Sequence, residues 1–157
     1  MERRRMMSGV KPLLVFEYGK TELSAGKIYE KSQRIDGTVF ENKIIAVYSD
    51  RYRTSDIETG GYVIITGIDF TKYRKLFIEC CHSLAKEYDG FLEAGYGSNT
   101  VGSGISGAFT ESKKVPEEYE VLSFDISKIK GENYIKAVMN VNGETDNPIR
   151  IKNIRLE

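Results

Sequence analysis

Asp50, Arg51, Tyr52, Arg53, Asp56 and Glu58 crowd into one polar stretch, DRYRTSDIE, of a 157-residue chain. Side chains of these types, held close together, suit recognition of a surface rich in hydroxyls. Guanidinium forks and carboxylates hydrogen-bond neighbouring hydroxyls, while a tyrosine ring offers an apolar face to C–H groups. Arg51, Tyr52, Arg53 and Asp56 are therefore candidate ligand-binding residues. Tyr96, in the glycine-rich run GYGSNTVGSGISG, is a second candidate as an exposed aromatic. The same stretch can be read for catalysis, because a pair of carboxylates drives glycoside hydrolysis. Asp50, Asp56 and Glu58 are the nearest such set, but acid clusters in a polar loop are ordinarily solvated. His82 is the single histidine, so any serine triad or imidazole acid–base pair has to use it. It continues the phase of Leu76, Ile78 and Cys80, which assigns it to the rim or the core rather than to catalysis.

Other chemistries lack their residues. Gly102-Ser103-Gly104-Ile105-Ser106-Gly107 fits a dinucleotide-type glycine pattern formally, yet no strand precedes it and Pro116 follows too soon for the required helix. Cys80 and Cys81 are adjacent, so in a strand they point to opposite faces and cannot form an ordinary bridge. With His82 alone beside them they do not complete a zinc site. No cofactor is expected, and structural calcium has no set of ligands that can be matched to it. Lys plus Arg number 23 and Asp plus Glu 23, a balance that excludes binding of nucleic acid through a basic surplus. No apolar run reaches the length of a membrane helix. Nor does the start, MERRRMMSGVKPLLVFEYG, contain a signal-length apolar stretch. The expectation is a cytoplasmic product as synthesised, or one carried on a virion.

The elements that must position these residues are strands. Sixteen Ile, ten Val, nine Thr, ten Tyr and seven Phe stand against eight Leu and six Ala. Branched and aromatic side chains fit pleated surfaces and lose rotamer freedom in helices. Residues 1–11, with Arg3–Arg5, read as a flexible basic arm, and residues 12–157 as one domain. Alternation predicts strands at Leu13–Tyr18, Lys43–Ser49, Gly61–Thr66, Lys75–Ser83, Phe91–Tyr96, Val121–Ile126 and Asn133–Asn142. Weaker ones are expected at Thr38–Phe40, after the Asp36-Gly37 turn, and at Ala108–Val115. Ile68 and Phe70 are expected to plug the edge of the core. In Ile149–Leu156 the apolar phase switches between Ile151 and Ile154, which predicts a β-bulge near Lys152-Asn153.

The runs ITGIDFTKYRKLFIEC, VLSFDISKIKGENYIKAVMNVN and IRIKNIRLE resemble jelly-roll modules of the galactose-binding-like and carbohydrate-binding-module type. The matching positions are Asp69, Thr71, Tyr73 and Leu76; Leu122, Asp125, Ile126, Ser127, Gly131, Tyr134 and Ile135; and Ile149–Leu156. The RRRMM start and the single-module size also resemble small proteins encoded among phage tail genes of gut Firmicutes. The resemblance implies an all-β, jelly-roll-like antiparallel β-sandwich in a single domain. It also implies a non-enzymatic module of a phage tail or surface appendage that contacts a glycan or another subunit. The alternative is a purely structural, self-assembling homo-oligomer that uses exposed strand edges. A small glycoside- or ester-cleaving enzyme is the third reading.

Overall fold

Eleven strands form among the residues that the computed structural model describes, namely 10–31, 39–48, 61–82, 90–98, 109–141 and 147–157. Six of them, β1 (Leu13–Phe16), β3 (Phe40–Glu41), β4 (Ile44–Val47), β6 (Lys75–His82), β9 (Glu120–Asp125) and β11 (Ile149–Leu156), make the first sheet. Its order is β3-β4-β11-β6-β9, with β1 also paired to β11. The second sheet, in the order β2-β5-β10-β7-β8, contains β2 (Lys27–Lys31), β5 (Gly61–Asp69), β7 (Gly90–Ser98), β8 (Glu111–Lys114) and β10 (Glu132–Val141). Every pairing is antiparallel. The described residues contain no helix.

The interior lies between the sheets and follows the alternation closely. Ile149, Ile151, Ile154 and Leu156 of β11 and Leu76, Ile78 and Cys80 of β6 meet Val63 and Ile65 of β5 and Ile135, Ala137 and Met139 of β10. Each large aliphatic or aromatic side chain removed from water here contributes about 1.5–3 kcal/mol, which makes this layer the main source of stability. Ile68 and Phe70 are buried, as their sequence positions predict. A small cavity of about 10 Å³ between the sheets, lined by Val63, Ile78, Ala94, Ile135, Lys136 and Ile151 among others, has room for about one water.

The expected bulge is present. Along β11 the register with β6 shifts between Ile151 and Asn153. On its other side β11 changes neighbour at the same point: Ile149–Ile151 pair with β4, and residues 154–156 pair with β1. One strand thus serves two short partners, and the extra residue absorbs the mismatch between them.

Three expectations need correction. β1 ends at Phe16, and Tyr18 beyond it is 60% exposed. β2 was not expected, because KIYEK has little apolar signal; its Ile28 packs against the main core. The glycine-rich run is not a loop from Gly95 onward, since β7 continues to Ser98. Gly95 and Gly97 within it are there for close packing. A Cβ on Gly95 would run into the Glu111 carbonyl of β8, and one on Gly97 would meet the Tyr134 ring of β10. Residues 1–9, which include Arg3–Arg5, lie outside the described residues.

The motif residues shared with jelly-roll modules turn out to build strand ends. Asp69 Oδ1 accepts the Thr71 backbone N–H at 2.9 Å after β5, and the Thr71 hydroxyl oxygen accepts the Gly131 N–H at 2.8 Å. After β9, Asp125 Oδ1 accepts both the Ser127 N–H at 2.9 Å and its hydroxyl at 2.7 Å. Both are Asx-type turns, which stop a strand by satisfying its next backbone donor. The Thr71 hydroxyl and backbone N–H hold the Asp69 carboxyl below its ordinary 3.8, and those of Ser127 do the same for Asp125. A carboxylate with a lowered folded value stabilises above its unfolded pKa and loses that contribution as pH falls through the folded one. We therefore expect the urea midpoint to drop as the pH falls below about 4. The Asp69→Asn/Asp125→Asn double variant, which keeps the accepting oxygens, should show a shallower drop. An identical pH profile would refute the assignment.

Candidate functional site

The outer face of the second sheet can be read row by row from the register. Tyr62, Val138, Glu93 and Lys114 stand opposite one another across β5, β10, β7 and β8. The next row runs Ile64, Lys136, Gly95 and Ser112, and beyond it Tyr134 faces Gly97. These side chains share a face because residues opposite one another in a register point to the same side of the sheet, and those of β5, β10 and β7 alternate with residues of the core.

The two rows differ in access. Ile64 and Tyr134 are fully buried and form a second apolar cluster with half-buried Tyr62. Lys136 is only 4% exposed, with its ammonium 5.0 Å from the Phe109 ring centroid and 5.8 Å from that of Tyr134. Burial pushes the Lys136 amine below its ordinary value. The row Tyr62–Val138–Glu93–Lys114 is more open: Tyr62 and Glu93 are half-buried and Lys114 is exposed. The Ser112 hydroxyl donates to Glu93 Oε1 at 2.7 Å and fixes that carboxylate on the face. An aromatic ring, an anchored acceptor and an exposed donor thus stand across four strands, roughly 14 Å at the usual strand spacing.

Of the residues singled out from sequence, Arg51, Tyr52, Arg53 and Asp56 lie outside the described residues, as do Asp50 and Glu58. Their segment ends where β5 begins, one residue before Tyr62. Tyr96 is not an exposed ligand contact. It is 3% exposed, on the inner face of β7, with its ring centroid 5.6 Å from Phe70 and 6.0 Å edge-on to Phe124. The glycines around it suggested a loop, but alternation within β7 turns Tyr96 inward and leaves Gly95 and Gly97 outward.

His82 is 3% exposed, which agrees with the core alternative, and burial is the first cause that lowers its pKa. Cys80 is in the core with its thiol pushed up to about 12 by burial, so it stays protonated. Cys81 faces the other way, against the hydroxyl of Tyr119, and both cysteines are free. Among the described residues no group of His, Cys, Asp and Glu is placed to hold a metal ion. The described residues contain no helix long and apolar enough to cross a membrane.

Sequence reasoning missed Tyr62, Glu93, Ser112 and Lys114. GYVIIT does mark Tyr62 as opposite in phase to Val63, but nothing local shows that its neighbours on that face are Glu93 and Lys114.

No family model and no curated protein sequence matches the chain. Solved structures do. A variant of a family 29 carbohydrate-binding module, described as probing ligand recognition, aligns with a TM-score of 0.60 at 12% identity over 94% of this chain and 92% of its own. A family 29 module from Piromyces equi aligns at 0.55 with 15% identity, over 93% and 89%. A further variant, complexed with cellulohexaose, aligns at 0.58 with 13% identity over 93% and 89%. The chain has the fold of these modules. That likeness spans nearly the whole of both partners, so the jelly-roll expectation extends from the second half of the sequence to all of the described domain.

Proposed function

We propose that the protein is a non-catalytic glycan-binding module whose sugar lies across the second sheet along Tyr62, Val138, Glu93 and Lys114. The observation that carries this reading is the row itself. A tyrosine ring for C–H contact, a carboxylate anchored by Ser112 and an exposed ammonium are what a chain of pyranose rings needs, and they lie on one sheet face. The shared fold with modules solved in complex with an oligosaccharide supports it. The lowered imidazole and the protonated Cys80 thiol, both buried, favour a binding role over catalysis.

Titration calorimetry with a neutral β-linked hexasaccharide is the direct test. The wild-type chain should release measurable heat below millimolar ligand. Tyr62→Ala and Glu93→Gln should each weaken binding about tenfold, a difference of about 1.4 kcal/mol. Absence of binding at millimolar ligand, confirmed on a glycan array, would remove the reading.

Self-assembly through open sheet edges draws little support at the β8–β9 side. Lys113 of β8 donates its ammonium to the Ser123 carbonyl of β9 at 2.5 Å and so occupies part of that edge. A charged side chain at an edge is a common device against strand addition. Attachment to a virion rests on the resemblance of the RRRMM start and the single-module size alone.

A further inference from the structure

The outer face of the first sheet is covered at Ile44, Ala46 and Cys81, but Phe77, Lys152 and Arg155 on it are only half-buried, and it carries three aromatic–cation pairs. Lys152, outward at the β11 bulge, has its ammonium 4.2 Å from the Tyr119 ring centroid and 5.5 Å from that of Tyr18. Two strand positions on, the Arg155 guanidinium lies 4.4 Å over the Phe77 ring, its cross-strand partner. Arg150, opposite Cys81, ends the line near Tyr119. The bulge makes this possible, because it turns two consecutive residues, Lys152 and Asn153, to the same side. Bulges recur where a side chain must be re-aimed next to a functional surface.

Two of the carboxylates nearby are already engaged. Glu79 accepts the Asn153 amide at 2.7 Å, and Glu157 pairs with Arg155 at 2.6 Å. Lys152 has no carboxylate partner among the described residues. Tyr18, at 60%, keeps most of its ring in solvent.

We propose that this strip, from Arg150 to Arg155 along β11, binds an acidic polysaccharide, with Lys152 pairing a uronate carboxylate and Tyr18 and Tyr119 packing against sugar rings. It spans roughly 15 Å at the usual rise per residue, several sugars long. The argument for this occupant is complementarity. Cations held on aromatic rings need a ligand that alternates C–H faces with carboxylates, and a uronate chain does so. A nucleic acid also offers rings and anions, but a chain with no basic surplus is a poor match for its phosphate density. This strip lies on the opposite sheet from the proposed neutral-glycan row and does not depend on it.

The test is titration calorimetry of the full chain with oligogalacturonate, at low and high salt, beside the neutral hexasaccharide and a single-stranded oligonucleotide. Tyr18→Ala and Lys152→Gln are solvent-side changes, and thermal unfolding checks that each variant is folded. Each should weaken oligogalacturonate binding about tenfold, and the wild-type affinity should fall with salt. Tyr62→Ala should leave it unchanged. No binding by the wild type, an unchanged affinity in both strip variants, or equal affinity for the oligonucleotide would overturn the proposal. Neutral-sugar heats report on the other face alone, so failure of either site can be told from failure of the other.

Discussion

Gly95→Ala is expected to loosen β8 from the second sheet and to cost about 3 kcal/mol or more, at the upper end of overpacking effects. The added methyl would overlap the Glu111 carbonyl oxygen and stand 2.7 Å from the Ser112 Cα. Both obstacles are backbone atoms of the paired strand, so no rotamer change relieves them. β8 joins the sheet only through Glu93, Ala94, Gly95 and Tyr96 of β7, and the clash falls within that ladder. A urea titration reads the effect as a lowered midpoint. For a domain of this size the melting temperature should fall by roughly 6–12 °C. Because Ser112 and Lys114 ride on β8, neutral-sugar affinity should fall with it. Gly97→Ala meets the Tyr134 ring rather than backbone, so it should cost less. A change below 1 kcal/mol at Gly95 would mean that β7 and β8 are not packed as described.

Tyr96→Ala is expected to destabilise the domain by about 3–5 kcal/mol, the range for a deleted core aromatic. The ring bridges Phe70, from the β5–β6 connector, and Phe124 of β9. Its removal leaves a cavity where the two sheets are joined. Tyr96→Phe keeps the packing and gives up only the hydroxyl contact with Glu111, so it should cost about 1 kcal/mol. The pair of variants separates the two roles that the sequence allows. A ligand-contacting tyrosine would lose binding with its melting temperature intact, whereas a core tyrosine loses stability first. A Tyr96→Ala protein as stable as the wild type would restore the exposed position expected from the glycine-rich run.

That run shows where local reading stops. Gly95-Tyr96-Gly97 has the composition of a loop, and only β8 on one side and the Tyr134 ring on the other explain why the glycines belong to a strand. β2 went unseen for a related reason: KIYEK, at a sheet edge, has too few apolar residues to show a periodicity. By contrast, Asp69, Thr71, Asp125 and Ser127 are marked in the sequence as positions of the jelly-roll resemblance, and the structure shows that each pair closes an Asx turn over two residues. Of the candidate site, Arg51, Tyr52, Arg53 and Asp56 fall outside the described residues. Tyr62, Glu93, Ser112 and Lys114 come from four segments whose alignment no local pattern encodes.

The sequence by itself determined the all-β class, most strand positions, the buried phase of β6, β10 and β11, and the bulge at Lys152-Asn153. Each of these depends on side chains one or two residues apart, and pleating makes that spacing a choice of face. Only the tertiary structure decided which parts of the outer faces are covered, and that Tyr18, Tyr119 and Lys152 meet. Those outcomes depend on strand pairings between segments at opposite ends of the chain, as between Leu13 of β1 and Leu156 of β11. Strand order is fixed by the closure of the whole sandwich, and no stretch of the chain carries it alone.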